Sequence, residues 1–391
     1  MTSRRARVGV LGAAVVAALA ILWSVVGPRG ERPARPEATV AVAEALARGD
    51  ATGFARATGP RALDFPRDHG PHPEFRTEWW YYTGNLVAEG GRHFGFQLTF
   101  FRQALAPPAS DAAAARASAW ATRQLYVAHF ALTDTASGRF HAVSRASRGA
   151  LGLAGAAASP FRVWLEDWSA AGVAGDAVPV SLRAAEGDHA IDLVLESAKP
   201  AVLQGDRGWS RKGPEPGNAS FYYSLTRMPA RGTVTVGGRP IAVTGAAWMD
   251  REWSTSALGP DLVDWDWFAL QLDGGRELML YRLRRRDGTL DPHSAGTLVE
   301  PSGAARSLGA ADVRVEVRAE WTSPRTGVRY PAAWRITDTA GTFDLDVRPR
   351  LADQELVVGT RYWEGAVSIT GAAAGRPIAG HGYAELVGYG E

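Results

Sequence analysis

From about residue 75 onward, apolar and polar residues alternate with a period of two, and no other feature constrains the fold more. Phe94, Phe96, Leu98 and Phe100 interleave with His93, Gly95, Gln97 and Thr99. Tyr126, Ala128, Phe130 and Leu132 do the same with Val127, His129, Ala131 and Thr133, as do Phe343, Leu345 and Val347 with Asp344, Asp346 and Arg348. Successive side chains of a strand point to opposite faces, so each run has one core face and one wetter face. Gly90-Gly91, Gly237-Gly238, Asp273-Gly274-Gly275 and Asp287-Gly288 separate the runs as tight turns. Short strands joined by such turns predict an all-β chain built of antiparallel barrels or sandwiches. The Ala-rich stretches 104–119 and 149–159 read as loops or short helices between strands, and residues 40–57 as one short helix.

An internal repeat divides this pattern. Glu78-Trp79-Trp80-Tyr81-Tyr82 precedes Gly90-Gly91 and an apolar return strand ending in Arg102. Asp264-Trp265-Asp266-Trp267-Phe268 precedes Gly274-Gly275 and a return strand ending in Arg282. The spacing of about 185 residues nearly halves the body and predicts two related domains, 60–245 and 246–391.

Ahead of them lies a different kind of sequence. Arg4, Arg5 and Arg7 precede an apolar run from Val8 to Val26 that Gly27-Pro28 breaks. A positive flank before an apolar run is an export signal. The run is close to the ~20 residues that span a bilayer, so residues 1–30 read equally as a cleaved signal peptide or an uncleaved signal-anchor. The expected home is periplasmic or extracellular, with residues 8–26 as an inner-membrane anchor if uncleaved. Residues 31–59 read as a linker carrying the short helix.

Composition excludes several chemistries. There is no Cys among the 391 residues, which removes disulfides, thiolate metal sites and a Cys nucleophile. The formal charge of +2 rests on Arg4, Arg5, Arg7 and Arg29 in the leader, so the body carries no basic excess for nucleic acid. The eight His show no close ligand spacing except His69/His72, and no metal is expected. There is no G-x-S-x-G elbow and no P-loop.

Three segments concentrate chemistry. In Phe65–Tyr82, Trp79 and Trp80 are adjacent on a strand and cannot face the same core. One face must present aromatic surface to a ligand cavity, a domain interface or a rim. In Trp248-Met249-Asp250-Arg251-Glu252-Trp253, alternation puts Trp248, Asp250 and Glu252 on one face and Met249, Arg251 and Trp253 on the other. An acid among aromatics in an apolar cavity has a raised pKa and can donate a proton near neutrality. The alternative is an Arg251–acid pair closing the junction between domains. The third segment, Trp209-Ser210-Arg211-Lys212 followed by Asn218–Ser224, reads as a loop entering an aromatic strand.

The long motif from Phe65 to Asn85, with Trp248–Ser254 and Tyr362-Trp-Glu-Gly-Ala-Val367, resembles the AttH-like group, related to the carotenoid 1,2-hydratases (hydroxyneurosporene synthase family) and often labelled secreted hydrolases. The resemblance spans residues ~60–391. It implies two tandem lipocalin-like antiparallel β-barrels behind the N-terminal hydrophobic helix, in an exported bacterial protein. It also implies acid-catalysed addition of water to an isoprenoid double bond, with Asp250 as the proton donor. The candidate ligand-binding residues are Trp248, Trp253, Trp79, Trp80, Tyr82, Tyr222, Trp267 and His72. The expected partner is a hydrophobic small molecule or lipid, with no cofactor. A carrier of the same class of ligand, accessory to export, is the other reading.

Overall fold

The computed structural model describes residues 51–108, 122–255 and 262–390. All belong to one compact unit. The apolar run Val8–Val26, most of the expected helix at 40–57 and most of the Ala-rich stretch 104–119 lie outside the described residues. Among the described residues no α-helix forms, and no helix is long and apolar enough to cross a membrane.

The first sheet contains β1 (Thr77–Ala88), β2 (His93–Ala104), β3 (Gln124–Asp134), β4 (Arg139–Arg148), β5 (Ala154–Ala158), β6 (Phe161–Leu165), β7 (Trp168–Gly172), β8 (Val180–Glu186), β9 (His189–Leu195), β10 (Val202–Leu203), β11 (Trp209–Arg211), β12 (Ala219–Val236) and β13 (Arg239–Ser254). The second contains β14 (Leu262–Leu272), β15 (Glu277–Arg285), β16 (Ala295–Val299), β17 (Ala305–Gly309), β18 (Val313–Thr322), β19 (Arg329–Asp338), β20 (Phe343–Pro349), β21 (Glu355–Val357), β22 (Arg361–Ala373) and β23 (Arg376–Val387). The strand order is β4-β3-β2-β1-β13-β12-β9-β8-β7-β6-β5 in one and β17-β16-β15-β14-β23-β22-β20-β19-β18 in the other. In both, a meander of four strands meets a closing hairpin on its first strand. The repeat seen in the sequence is therefore a repeat of topology. Its marker is the turn: Gly90-Gly91 and Gly274-Gly275 all take positive φ, 82° and 84° in one and 77° and 82° in the other, a backbone region that glycine enters freely.

The first sheet curls until it nearly closes. The Arg145 guanidinium on β4 lies 4.3 Å above the Trp168 ring of β7 and bonds Glu186 at 2.7 Å. The His141 ring stacks on His189 of β9 at 4.2 Å. The second sheet is a half-barrel whose concave face brings Phe268 of β14 to Trp334 of β19 at 5.4 Å.

Several expectations are corrected. The boundary at 245/246 falls inside β13, because strand pairing with β1 holds that segment in the first sheet as far as Ser254. Ala154–Ala158 is strand β5; small residues there let Trp164 of β6 cross over Gly155, where a Cβ would lie 2.6 Å from its ring. Residues 51–57 form turns and extended chain. Side chains fill the interiors of both sheets. Phe94, Phe96, Leu98, Phe100, Phe130 and Trp168 pack the first, and Phe268, Leu270, Trp334, Ile336 and Trp363 the second.

The polar faces of the strands supply the other half of the structure, because the two sheets pack against each other through them. Tyr81, Tyr222 and Trp248 of the first sheet form one buried cluster with Trp267, Met279, Tyr281, Leu283, Ala366 and Tyr383 of the second. The sheets approach closely at Gly95, where a Cβ would stand 2.6 Å from Ala366 Cβ and 3.3 Å from the Tyr383 hydroxyl. Gly95→Ala is expected to lower stability by about 1–3 kcal/mol through overpacking. Gly59→Ala, whose Cβ meets open space, should stay within about 0.5 kcal/mol of wild type. Equal urea midpoints for the two variants would contradict this packing.

Candidate functional site between the sheets

Strand β13 has two chemistries, one per face, as its alternation predicts. Met249, Arg251 and Trp253 face the interior of the first sheet, while Trp248, Asp250 and Glu252 face the second sheet. Arg251 does not pair with the acids of its own strand. It forms an ion pair with Glu78, which also binds Arg102. Arg251 Nη2 further donates to the Gly70 carbonyl at 2.6 Å, and its guanidinium lies 4.0 Å over Trp80. His72 Nε2 bonds Asp68 at 3.0 Å and its ring stacks on Trp253 at 3.8 Å. Residues Phe65–Arg76 are thereby tied against β1 and β13, and they also reach β5, where Gly70 meets Ala158. The two guanidiniums hold the Glu78 carboxyl well below its usual range, although burial opposes them.

On the opposite face Asp250 lacks such a partner. Asp250 is 4% exposed. It accepts from the Tyr222 hydroxyl at 2.5 Å, from Ser224 Oγ at 2.5 Å and from Trp248 Nε1 at 2.7 Å. Two of the donors are themselves held by hydrogen bonds. Trp267 Nε1, from the second sheet, donates to the Tyr222 oxygen at 3.2 Å, and Gln204 Nε2 donates to Ser224 at 2.8 Å. Burial pushes the Asp250 carboxyl up to about 7; the three donors pull it down and Glu252 adds to the rise. Glu252 lies 3.6 Å from Lys212, whose ammonium sits 3.6 Å over the Tyr281 ring.

The second sheet contributes two more acids. Glu364 of β22 and Glu385 of β23 are opposite each other in register. Glu385 also lies opposite Trp267, as Asp250 lies opposite Tyr81, and the Tyr81 and Trp267 rings meet edge to face at 5.1 Å. Tyr81 donates to Glu364 across the interface. Trp265 Nε1 donates to Glu385 at 3.4 Å. Burial and the charge of Glu385 raise Glu364 well above the usual carboxylate range; burial, with Asp250 and Glu252 nearby, brings Glu385 to about 7. His129 Nδ1 lies 2.7 Å from the Tyr362 hydroxyl, and burial lowers that imidazole to about 4, so it is neutral.

Of the residues singled out from sequence, Asp250, Trp248, Tyr222 and Trp267 come together here, with Trp79 partly buried at the margin of the cluster. Trp80, Tyr82, Trp253 and His72 lie on the other side of the sheet, around Arg251. Glu364, Glu385, Ser224 and Lys212 were not among the candidate residues, although Lys212 and Ser224 lie in the third segment singled out from the sequence. The available signal was an isolated acid inside an otherwise apolar strand, as in Tyr362-Trp363-Glu364 and Tyr383-Ala384-Glu385. Among the described residues no group of three or more His, Asp or Glu could hold a metal ion.

The profile of the AttH-like family matches residues 56–389. A crystal structure of a protein assigned as AttH from Nitrosomonas europaea is 36% identical, with a TM-score of 0.76, covering 86% of this chain and 100% of its own. The chain belongs to the AttH-like family. Family members share the two-sheet fold with more distant proteins. Kievitone hydratase from Nectria haematococca is 15% identical with a TM-score of 0.65, covering 86% of this chain and 98% of its own. CghA, solved with Sch210972, is 18% identical with a TM-score of 0.50, covering 88% and 97%. No curated protein matches the chain significantly.

The raised Asp250 pKa has a consequence for stability. Between about pH 4 and about pH 7 the folded protein keeps a proton that the unfolded chain, with an ordinary Asp near 3.8, has released. That contribution is complete below the unfolded value and is lost as pH rises through about 7. About three pH units at about 1.4 kcal/mol each make it on the order of 4 kcal/mol. Asp250→Asn removes the titration, so its melting temperature relative to wild type should rise by several degrees between about pH 5 and about pH 8. A constant difference across that range would contradict the buried, proton-holding state.

Proposed function

We propose that this AttH-like protein is an enzyme that adds water to the double bond of an apolar, isoprenoid-type ligand at the junction of its two sheets. Asp250 is the general acid. The observation that carries this reading is a buried carboxyl, brought to about 7, set among Trp248, Tyr222 and Trp267. Protonating an alkene requires a neutral carboxylic acid in a dry site. The carbocation formed is stabilised by aromatic faces, each worth roughly 0.5–2 kcal/mol. Tyr222, held by Trp267, fixes the Asp250 carboxyl in one orientation. Trp79, Leu262 and Trp265, the partly exposed apolar margin of the same cluster, form the approach for the ligand. The likeness of the fold to a protein described as kievitone hydratase supports a hydration reaction. In this reading the sheets are lipocalin-like barrels that serve as scaffold, and the protein acts outside the cytoplasm behind its N-terminal segment.

The test is turnover of acyclic carotenoids in isotopically labelled water, followed by mass spectrometry. Wild type should incorporate one labelled oxygen per product, with kcat falling as pH rises through about 7 while Asp250 ionises. Asp250→Asn should lose about 100-fold or more. Equal turnover by the two proteins removes Asp250 from the chemistry. Absent turnover with co-purified lipid in native mass spectrometry would make the protein a carrier.

A further inference from the structure

The two oxygens of the Asp250 carboxyl are held differently. Oδ1 accepts twice, from Trp248 Nε1 at 2.7 Å and from Ser224 Oγ at 2.5 Å. Oδ2 accepts from the Tyr222 hydroxyl at 2.5 Å. A carboxyl oxygen has two lone pairs in its plane. Both pairs of Oδ1 are taken, while Oδ2 keeps one for a proton.

The direction of each bond at Oδ1 follows from the groups that make it. An indole nitrogen only donates. Ser224 stands directly opposite Asp250 in the β12–β13 ladder. Its Oγ accepts from Gln204 Nε2 at 2.8 Å, and Gln204 Oε1 accepts from Thr297 Oγ1 at 2.6 Å. An ionised Asp250 can only accept, so the single O–H of Ser224 points to Oδ1. The Ser224 oxygen is then left for the amide nitrogen of Gln204, and the amide oxygen for the Thr297 hydroxyl. Gln204 and Ser224 are fully buried and Thr297 is nearly so. A chain of donors therefore runs one way, from Thr297 on β16 of the second sheet through Gln204 and Ser224 into Oδ1. A proton on Oδ1 would have to turn the Ser224 hydroxyl, flip the Gln204 amide and reverse the Thr297 bond. A proton on Oδ2 reverses none of them.

We propose that Ser224, Gln204 and Thr297 are positioning residues that keep Oδ1 as the carbonyl oxygen of Asp250 and seat its transferable proton on Oδ2, beside Tyr222. This inference rests on the hydration reading and deepens it, since the alkene then meets the acid on the side of Tyr222, where Trp267 Nε1 donates to the Tyr222 oxygen. The Oδ2–H bond breaks and leaves its electron pair on Oδ2, while the alkene π pair forms the new C–H bond. A water lone pair forms the C–O bond to the cation, and the proton this water sheds is balanced by one that Oδ2 regains from solvent. The titratable groups on elements packed against Asp250 are Glu252 on its own strand, Tyr222 on β12, Tyr81 on β1 and Glu385 on β23, with Lys212 beside Glu252. The positioning chain contains none of them.

The test is infrared spectroscopy of protein containing carboxyl-labelled aspartate at about pH 6, where ordinary aspartates are ionised and Asp250 is neutral. Subtracting the Asp250→Asn spectrum isolates the C=O band of the neutral acid. Hydrogen bonds to a carbonyl oxygen lower its stretching frequency. Ser224→Ala and Thr297→Val should each move the band to higher frequency, because Oδ1 loses a donor or holds it less firmly. Thr297→Ser retains the hydroxyl and should restore the wild-type band. A band that Thr297→Val leaves in place overturns the proposal. So does a band that rises with Tyr222→Phe but not with Ser224→Ala, which would put the proton on Oδ1. Thr297→Val is nearly isosteric and decides the matter if Ser224→Ala does not fold. Absence of a neutral-acid band in the wild type would refute the protonated Asp250 itself, and the proposal with it. The expected shifts in a protein that hydrates no acyclic carotenoid would uphold the seating of the proton and refute the hydration reading alone.

Discussion

The structure depends on burying the polar faces of two curved sheets against each other. An antiparallel sheet ordinarily keeps one face in water. Here both sheets fill their concave faces with Phe, Leu and Trp, and the strands around β1, β13, β14 and β23 bury their second faces as well. Polar groups on those faces find partners within their own sheet, as Asp250 does, or across the junction. Tyr81 meets Glu364, Asn85 donates to the Gly382 carbonyl at 3.0 Å, and Gln271 donates to the Thr226 and Ala247 carbonyls at 2.8 and 2.9 Å. At one edge, Lys199 and Arg227 of the first half enclose Glu277 of the second. Acids at such a junction lose their water without always gaining a cation, and that loss is the source of the unusual protonation behaviour.

Glu78 and Asp250 show how partners decide the outcome. Both are buried in neighbouring strands of one sheet. Glu78 has Arg102 and Arg251, and its pKa falls far below normal. Asp250 has only neutral donors, and its pKa rises to about 7. The pleat of β13 keeps them apart by sending Arg251 to one side and Asp250 to the other. A buried acid fully paired with guanidiniums serves to anchor Phe65–Arg76. A buried acid without a cation retains a proton it can give away.

Much of this was legible in the sequence where the information is local. The period of two located the strands, and the paired Gly-Gly turns exposed the repeat. The adjacency of Trp79 and Trp80 required a second aromatic face, which is the face of Tyr81 and Trp79 at the junction. The division of Trp248–Trp253 into two faces was likewise readable. What was not legible depends on pairing between distant strands. Nothing near Glu364 indicates that Tyr81 will reach it, and nothing near residue 245 indicates that pairing with β1 holds the chain in the first sheet to Ser254. The filled interiors were not legible for a related reason: alternation identifies an inward face but not whether the inward rings meet across it.

The central claim is that Asp250 holds a proton near neutrality because it is buried without a cation. The most direct measurement is a carbon NMR titration of the Asp250 carboxyl in aspartate-labelled protein, assigned by comparison with Asp250→Asn. The account predicts a midpoint near about 7, with a protonated carboxyl persisting at about pH 6. A midpoint in the ordinary aspartate range near about 4 would contradict it.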